Sequence, residues 1–359
     1  MNRRSFLLAA PAALAAGKFR LCLAGLTHDH ARGFLNTLLK RSDVELAGIA
    51  EPDTALHSQY GARFKLGASS FHTSLPAMLD KLKPDAVATF ASTFDHLRIV
   101  QECARRRIPV MMEKPLAVSR EHAYAIRDAA AKANIPVLVN YETTWYRSHA
   151  QLRSEIALDP RFGRVRKMVA MDGHQGPKEI NVGPEFFGWL TDPEKNGAGA
   201  LFDFGCYGAN LMTWLMDNRR PDTVTARLQT FKPHIYARVD DEATVVVEYP
   251  GAQGIIQGSW NWPYGRKDFE VYTEHGYAIA NGGGKLRMLR PEAQEEELLT
   301  PPELPADERD SVSYLMAVVQ GRLKTGGLSS LENNLIATEI LVAARESARS
   351  GKSIRLPAA

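Results

Sequence analysis

Lys114 is the first residue whose type and position could do chemistry, because it follows a short apolar run at residues 108–112. Such a run predicts a buried strand, and open α/β sheets place their active sites outside the carboxyl ends of their strands. An ammonium group that is poorly solvated in a cleft can donate a proton, orient a substrate hydroxyl or lower the pKa of a neighbour. The alternative is a solvated lysine in a turn, which is the commoner environment for this residue type.

A second candidate group lies in the glycine-rich sequence NGAGALFDFGCYGAN at residues 196–210. If a helix follows the glycines, Asp203, Tyr207 and Asn210 are four and three residues apart and project from one face. A tyrosine acts as a general acid or base near neutral pH only if its phenolate is stabilised, and a nearby ammonium such as that of Lys114 would do this. Taken alone, Tyr207 would more often be a packed amphipathic side chain.

The turn after the first predicted strand, GLTHDHARG at residues 25–33, is the candidate nucleotide-binding turn. Glycines at such a turn let backbone N–H groups and a helix N-terminus approach a pyrophosphate. Gly25 matches the tight-turn position, but Thr27 and His30 stand where the second and third glycines usually lie. The Thr27 hydroxyl and the rings of His28 and His30 could contact phosphate instead. The alternative is a turn that binds nucleotide weakly or not at all.

Glu51 ends the second predicted strand, at the position of a ribose-binding carboxylate. Its carboxylate would accept from both adenosine ribose hydroxyls and would repel a 2′-phosphate, so NAD is favoured over NADP. A carboxylate near a helix start can instead be an N-terminal cap, and that role fits Asp53 better than Glu51.

These side chains need elements that position them. Strands are predicted at residues 19–24, 44–50, 86–90, 110–112 and 137–140, with helices between them. This alternation predicts a doubly wound parallel sheet over residues 17–140. Longer alternating strands follow, including 165–171, 243–249 and 268–273, and predict a mostly antiparallel sheet in an α+β domain over residues 141–310. Residues 311–359 are predicted as helices that pack back on the core. The predicted fold class is therefore α/β.

Length and composition limit the classes of protein. The chain has 359 residues, which favours two domains, and a formal net charge of +3. Lysine and arginine form no run of five or more, so nucleic acid is not an expected partner. The odd number of cysteines, Cys22, Cys103 and Cys206, lies in apolar or glycine-rich contexts and predicts buried thiols without a disulfide.

The N-terminus resembles an export signal. Arg3 and Arg4 precede an apolar, alanine-rich run that ends in the small-x-small pattern at residues 13–15. We expect a twin-arginine signal over residues 1–16 and a periplasmic or otherwise exported protein. The apolar run is shorter than the roughly 20 residues that span a bilayer, so a permanent anchor is the weaker alternative. No membrane association is expected once the signal is removed.

Several of these motifs occur together in one known family. The chain resembles the Gfo/Idh/MocA family of nicotinamide-dependent sugar and polyol enzymes over essentially everything after the signal. The resemblance implies a Rossmann domain followed by a domain whose large open sheet often forms an oligomer interface, and hence a homo-oligomer, dimer or tetramer, acting on a carbohydrate. The matching motifs are Gly25, Glu51-Pro52-Asp53, Ala91-Ser92-Thr93 leading to His96, Glu113-Lys114-Pro115, Asp203-x-Gly205-x-Tyr207 and Ser347-x-x-x-Gly351.

The resemblance implies a role for each matching residue. Lys114 would contact the reacting hydroxyl, Tyr207 would shuttle the proton and Asp203 would bind or orient sugar hydroxyls. Many members have histidine at the position of Tyr207 and aspartate at that of Asn210. The cofactor-binding residues expected are Gly25, Thr27, His28, His30, Glu51, Ser92, His96 and Glu113. The substrate-binding residues expected are Lys114, Asp203, Asn210, Trp189 and Trp262, with residues 173–199 as an active-site lid.

Three functions are consistent with these residues. The leading hypothesis is an NAD(P)-dependent oxidoreductase that transfers a hydride at a sugar, polyol or glycoside hydroxyl. The first alternative is a redox-neutral glycoside-cleaving or epimerising enzyme with tightly bound NAD. The second is a sugar-binding homologue that lacks the cofactor or binds a metal, with His28, His30 and His174 as the ligands to consider.

Overall fold

The computed structural model describes residues 17–356, so the predicted export signal lies outside the described residues. The first part of these residues forms a parallel sheet with strand order β3-β2-β1-β4-β5-β6. Two of the central strands, β4 and β5, are buried along their whole length, as the apolar runs predict. The strands are β1 (Phe19–Ala24), β2 (Val44–Ala50), β3 (Phe71–His72), β4 (Ala86–Thr89), β5 (Val110–Glu113) and β6 (Val137–Asn140).

Helices connect these strands and cover both faces of the sheet. Asp53 accepts a hydrogen bond from the backbone N–H of Ala55 and caps the second helix, as its position predicts. Ser119 caps the fifth helix in the same way, through the N–H of His122. The helices are α1 (His30–Leu38), α2 (Thr54–Phe64), α3 (Leu75–Leu82), α4 (His96–Ala104) and α5 (Arg120–Ala133).

The second sheet has nine strands in the order β14-β13-β12-β11-β7-β10-β9-β8-β15. Its pairs are antiparallel except for β7 and β10, which run parallel. The strands are β7 (Val165–Gly173), β8 (Thr223–Gln229), β9 (Glu242–Tyr249), β10 (Ala252–Ser259), β11 (Arg266–Thr273), β12 (Tyr277–Asn281), β13 (Lys285–Leu289), β14 (Glu297–Leu299) and β15 (Ile354–Arg355). The two sheets confirm the predicted fold class.

Helices of the second part cover one face of the large sheet. A β-carbon at Gly208 would lie 2.7 Å from Ile256, so glycine lets α10 pack closely on β10. The C-terminal helix α12 packs against α10, β8 and α5, whereas α11 joins the apolar core under β1 and α1. These helices are α6 (Arg147–Leu158), α7 (Pro184–Leu190), α8 (Pro193–Asn196), α9 (Ala200–Asp203), α10 (Gly205–Leu215), α11 (Ser311–Val319) and α12 (Leu331–Ser350). Within residues 17–356, no helix is both long and apolar enough to cross a membrane.

One local prediction was wrong. The sequence predicts a single helix that carries Asp203, Tyr207 and Asn210, but the structure has two helices, α9 and α10, that meet at Phe204. The break occurs where Gly205 lies against the sheet, because a β-carbon at Gly258 would be only 2.9 Å from the Gly205 nitrogen. Since the helix ends at Asp203, its backbone carbonyl is free to accept side-chain hydrogen bonds.

Candidate active site

Lys114 and Asp203 form a buried ion pair between the two domains. Lys114 follows β5, and its Nζ donates to Asp203 Oδ1 at 2.6 Å and to the Asp203 carbonyl at 3.3 Å. The second carboxylate oxygen, Oδ2, accepts from Trp260 Nε1 at 2.8 Å. Both charged side chains are less than a tenth exposed. The pair therefore has one geometry, held by donors from both domains.

The two groups of this pair keep each other charged. Burial opposes both charges, but the Asp203 carboxylate outweighs it and raises the pKa of Lys114 above its ordinary value. In the same way the Lys114 ammonium lowers the pKa of Asp203, against the effect of burial. Lys114 is therefore a permanent hydrogen-bond donor near neutral pH and not a base.

Tyr207 lies beside this pair. Its ring centroid is 5.5 Å from Lys114 Nζ and 4.7 Å from Lys267 Nζ, and the edge of the Tyr141 ring packs against it at 5.5 Å. Burial raises the pKa of Tyr207 well above 10, and the neighbouring Cys206 adds to this shift. In this state Tyr207 is a neutral phenol that can donate a proton, and it becomes a base only when nearby cations stabilise its phenolate.

A cleft of about 400 Å³ opens at the carboxyl ends of β1, β2 and β4. Gly25 has a φ of +85°, and a β-carbon there would lie 2.7 Å from the backbone nitrogen of Ala91, so the turn requires glycine. Glu51 is buried in the cleft wall, where it accepts from the backbone N–H groups of Leu26 and Asp53 at 2.8 and 2.9 Å. Each carboxylate oxygen retains a lone pair for a ribose hydroxyl. The cleft is lined by Gly25, Thr27, Glu51, Pro52, Ser74, Leu75, Ala91, Asp95 and Arg98, among others.

These residues fit the adenosine half of a dinucleotide. A glycine with positive φ lets the chain turn closely, a carboxylate stands at the end of the second strand, and Arg98 supplies positive charge at the rim. The cleft thus combines the groups that recognise ribose and phosphate, although the glycine fingerprint is incomplete.

The two histidines of the turn have different roles. The ring of His28 is buried, its Nδ1 accepts from the backbone N–H of His30 at 3.1 Å, and its Nε2 has no hydrogen-bond partner among residues 17–356. His30 is half exposed, and its Nδ1 lies 3.0 Å from Glu113 Oε2. Asn140 donates to the other oxygen of Glu113 at 2.8 Å. A hydrogen-bonded chain therefore joins the nucleotide turn to the residue before Lys114.

The donor atoms of His28, His30 and Glu113 all lie within 4.8 Å of one another. Burial lowers the pKa of His28 well below 6.5, so the ring is neutral. Since Nδ1 accepts an N–H, the single proton is on Nε2, which leaves neither nitrogen with a free lone pair for a metal. The structure does not assemble the three-histidine ligand set considered above, because His174 packs against Phe204, with ring centroids 4.7 Å apart.

Ser92 and His96 hold the turn after β4. Ser92 Oγ donates to Asp95 Oδ2 at 2.6 Å and also caps the short 3₁₀ turn through the N–H of Asp95. His96 Nδ1 lies 3.2 Å from the carbonyl of Leu116, and burial lowers the pKa of the ring. Both side chains are buried, and their hydrogen bonds fix the turn at residues 92–95 and its contact with Leu116.

Residues 173–199 cover the nucleotide turn. Trp189 Nε1 donates to the Thr27 carbonyl at 3.3 Å, and the backbone N–H of Gly183 donates to Asp29 Oδ2 at 2.7 Å. The rings of Phe186 and Trp189 pack on His28, with centroid distances of 4.4 and 5.5 Å. This segment therefore contacts the nucleotide turn, partly through Trp189, and its role as a lid stays a prediction.

Two further predicted residues make contacts of their own. Asn210 donates to the Leu328 carbonyl at 2.9 Å and to Asn334 at 3.2 Å, in the packing between α10 and α12. Trp262 lies after β10 against Gly173, where a β-carbon would be 2.9 Å from the indole ring. The group brought together is thus Lys114, Asp203 and Tyr207.

Sequence reasoning missed three residues of this group. Trp260 holds Asp203, and Lys267 lies over the ring of Tyr207 and pairs with Glu142. Trp260 ends the alternating segment at residues 253–260, and this position does not distinguish a site residue from a core residue. Lys267 lies in an alternating strand, and only the pairing of that strand brings it to the site.

Comparisons with known proteins agree with this geometry. Residues 19–141 match a family model described as an oxidoreductase family with an NAD-binding Rossmann fold, and residues 149–279 match a GFO/IDH/MocA C-terminal domain. A D-apiose dehydrogenase from Rhizobium rhizogenes is 24% identical over 353 residues, which cover 90% of this chain and 94% of the relative.

Two solved structures show the same fold. An inositol dehydrogenase homolog from Azotobacter vinelandii, complexed with NAD+, has a TM-score of 0.81 at 18% identity and covers 95% of this chain and 98% of its own. An aldose-aldose oxidoreductase from Caulobacter crescentus, complexed with glycerol, has a TM-score of 0.78 at 19% identity, with coverage of 95% and 100%.

Proposed function

The chain belongs to the Gfo/Idh/MocA family of NAD-binding oxidoreductases, and from this premise we propose that it oxidises a secondary alcohol of a sugar or polyol, or reduces the corresponding carbonyl. The observation that carries the proposal is the buried Lys114–Asp203 pair beside Tyr207, linked through Glu113 and His30 to the nucleotide turn. The bound nicotinamide supplies or accepts the hydride.

The residues of the chain position the alcohol and move its proton. The Lys114 ammonium donates a hydrogen bond to the reacting oxygen, where negative charge develops. Asp203 keeps Lys114 charged and fixes its direction. Tyr207, as a neutral phenol, donates its proton to a carbonyl oxygen during reduction, and as a phenolate accepts the hydroxyl proton during oxidation.

Glu51 supports NAD as the cofactor in place of NADP. Its buried carboxylate would face the ribose and repel a 2′-phosphate. Protein purified without added nucleotide, then denatured, should release NAD(H), which mass spectrometry would identify. Titration of nucleotide-free protein should give a lower Kd for NAD than for NADP. Glu51→Gln should narrow that difference, and equal affinities in the parent protein would contradict the assignment.

The oxidoreductase itself is tested by NADH formation over a panel of aldoses, inositols and acyclic polyols. At least one should be oxidised, and Tyr207→Phe should reduce kcat about 10²- to 10⁴-fold while NAD binding is retained. Full activity of Tyr207→Phe would remove Tyr207 from the mechanism. Bound NAD with no turnover on any member would contradict the proposed activity.

A redox-neutral reaction with retained NAD is the second candidate, and the contacts between residues 173–199 and the nucleotide turn favour it. The bonds from Trp189 and Gly183 to the nucleotide turn would slow exchange of the cofactor. The two functions differ in where NADH is found. In the redox-neutral case the substrate is converted with no net formation of NADH, and NAD(H) stays with the protein after gel filtration. In a net dehydrogenase NADH accumulates in solution.

Export and oligomerisation complete the proposal. The twin-arginine pattern at residues 3–4 supports a periplasmic location, which Arg3→Lys,Arg4→Lys should abolish in cell fractionation. Half-exposed apolar side chains form a stripe on the open face of the large sheet, where Ile255 pairs with Val169 and Val246. This stripe supports a homo-oligomer, dimer or tetramer, and Ile255→Lys should yield monomers in light scattering.

A further inference from the structure

A second lysine reaches Tyr207 from the large sheet. Asp172 on β7 and Lys267 on β11 are partners in the strand register, so their side chains lie on the same face, toward α10. Lys267 Nζ forms an ion pair with Glu142 and lies 4.7 Å from the centroid of the Tyr207 ring. This distance is shorter than the 5.5 Å from Lys114 Nζ to the same ring.

Asp172 is the register partner of Lys267 but does not bind its ammonium. Its carboxyl is completely buried, and neither oxygen has a hydrogen-bond partner within residues 17–356. Burial raises the pKa of Asp172 well above its ordinary value, because a charged carboxylate would be poorly solvated there. The Lys267 ammonium pairs with Glu142 instead, beside the ring of Tyr207.

The two lysines beside Tyr207 have different counter-charges. The charge of Lys114 is balanced by Asp203 in a dry, fixed pair, whereas that of Lys267 is balanced by Glu142, whose side chain is 51% exposed. Glu142 also accepts a hydrogen bond from Tyr146 Oη at 2.6 Å. Water or a substrate hydroxyl can therefore replace Glu142 as the partner of Lys267, which would leave an uncompensated ammonium on the phenol ring.

We propose that Lys267 is a positioning residue for proton transfer, whose ammonium stabilises the phenolate of Tyr207 and whose effect Glu142 restrains. The proposal rests on the proposed function and adds a residue to it. The ammonium lies over the ring of Tyr207, and an opposite charge near an ionising group lowers an acid's pKa by about one to three pH units. The titratable groups that face Tyr207 from the surrounding elements are Lys114, Glu113, Tyr141, Glu142, Asp203, Cys206 and Lys267, with Asp172 beside Lys267.

The test follows Tyr207 directly and needs no substrate. Protein labelled with [ζ-¹³C]tyrosine is titrated by NMR, and the resonance missing in Tyr207→Phe identifies this residue. Glu142→Gln should lower the pKa of Tyr207, because it removes the restraining carboxylate. Adding Lys267→Met to that variant should raise the pKa again by about one to three pH units, to the parent value or above.

Two controls separate charge from packing. Lys167 lies on β7 with its side chain on the opposite face, where it contacts Gln253, and Lys167→Met should leave the Tyr207 pKa unchanged. Lys267→Arg keeps the charge and should retain the parental pKa of Tyr207. If Lys267→Met does not fold, Lys267→Gln replaces it as the neutral variant, and its Tyr207 pKa is compared with that of Lys267→Arg. An equal Tyr207 pKa in the arginine and neutral variants would overturn the proposal.

A kinetic measurement separates this proposal from the proposed function. For a polyol that the enzyme oxidises, kcat is measured against pH. The pH at which kcat reaches half its maximum should move upward in Lys267→Met and downward in Glu142→Gln. If parent protein has no turnover, the proposed function fails, while the NMR comparison still decides whether Lys267 acts on Tyr207.

Discussion

The two lysine–carboxylate pairs beside Tyr207 differ in their access to water. In the first pair the side chains of Lys114 and Asp203 are 6% and 8% exposed; in the second, those of Lys267 and Glu142 are 19% and 51% exposed. Breaking a buried pair leaves a charge without solvent, which costs about 3–5 kcal/mol, whereas an exposed pair is worth about 0–1 kcal/mol. The first pair therefore contributes to the stability of the fold, whereas Lys267 of the second pair can exchange Glu142 for another partner.

The largest effect is expected when a substitution breaks the buried pair. Asp203→Ala leaves the ammonium of Lys114 and the Nε1 of Trp260 without their acceptor, and should reduce the free energy of unfolding by about 3–5 kcal/mol. Urea unfolding measures this change. Glu142→Ala is the matched control and should cost less than about 1 kcal/mol. Equal losses in the two variants would show that burial does not distinguish the pairs.

A smaller effect is expected on kcat when each of the two lysines is replaced. Lys114→Met removes the donor to the reacting oxygen and should reduce kcat about 10²- to 10³-fold. Lys267→Met acts only through Tyr207, and a loss of about tenfold is expected, equivalent to one pH unit in the strength of the base. Steady-state kinetics on one polyol compares them. A larger loss from Lys267→Met would reverse the assignment of roles.

The pH dependence of stability should also distinguish the pairs. The folded pKa of Asp203 lies below 3.8, so its contribution is complete above about that pH and is lost as the pH falls through the folded value. The folded pKa of Lys114 lies above 10.5, so its contribution is complete below that pH and is lost as the pH rises further. Unfolding of the parent should thus become easier at both extremes. In the double variant Lys114→Met,Asp203→Asn, the free energy of unfolding should depend less on pH at both the acidic and the alkaline extreme. A pH profile parallel to that of the parent would contradict this.

The smallest effect is the response to salt. A double-mutant cycle on Lys267 and Glu142 should give a coupling of about 0.5 kcal/mol that decreases between about 0.05 M and about 0.5 M NaCl. The coupling of Lys114 and Asp203 should stay constant, because ions do not reach the buried pair. A constant coupling in the exposed pair would indicate that Glu142 is held more tightly than its exposure suggests.

The first of these pairs could be predicted from the sequence. The apolar run at residues 108–112 requires a buried strand, which places Lys114 at a sheet edge, and the helical segment after residue 199 supplies an acid and a tyrosine four residues apart. These are local patterns. The break at Phe204 is not evident in this pattern, and it lies where Gly205 packs closely on Gly258 of β10. For that reason the expectation that Asn210 shares a face with Asp203 failed.

The second pair could not be predicted. Lys267 occupies an alternating strand in which any surface lysine would look the same, and its partner Glu142 lies in a short turn after β6. Only the register between β7 and β11 puts Lys267 next to Asp172, and only the position of α10 puts Tyr207 beneath it. Contacts at the nucleotide turn are equally hard to predict from local sequence. Nothing near His28 in the chain indicates that Phe186 and Trp189 pack on its ring.

The parallel pairing of β7 with β10 has a consequence for how the site is assembled. Parallel neighbours need a crossover connection, and here that connection contains both Asp203 and Tyr207. Trp260, which directs the carboxylate of Asp203, follows the strand that closes the crossover. The acid and its support therefore meet only after the chain has returned to β7. The carboxylate of Asp203 and the indole that directs it are thus brought together by the pairing of β10 with β7, and by no single local segment of the chain.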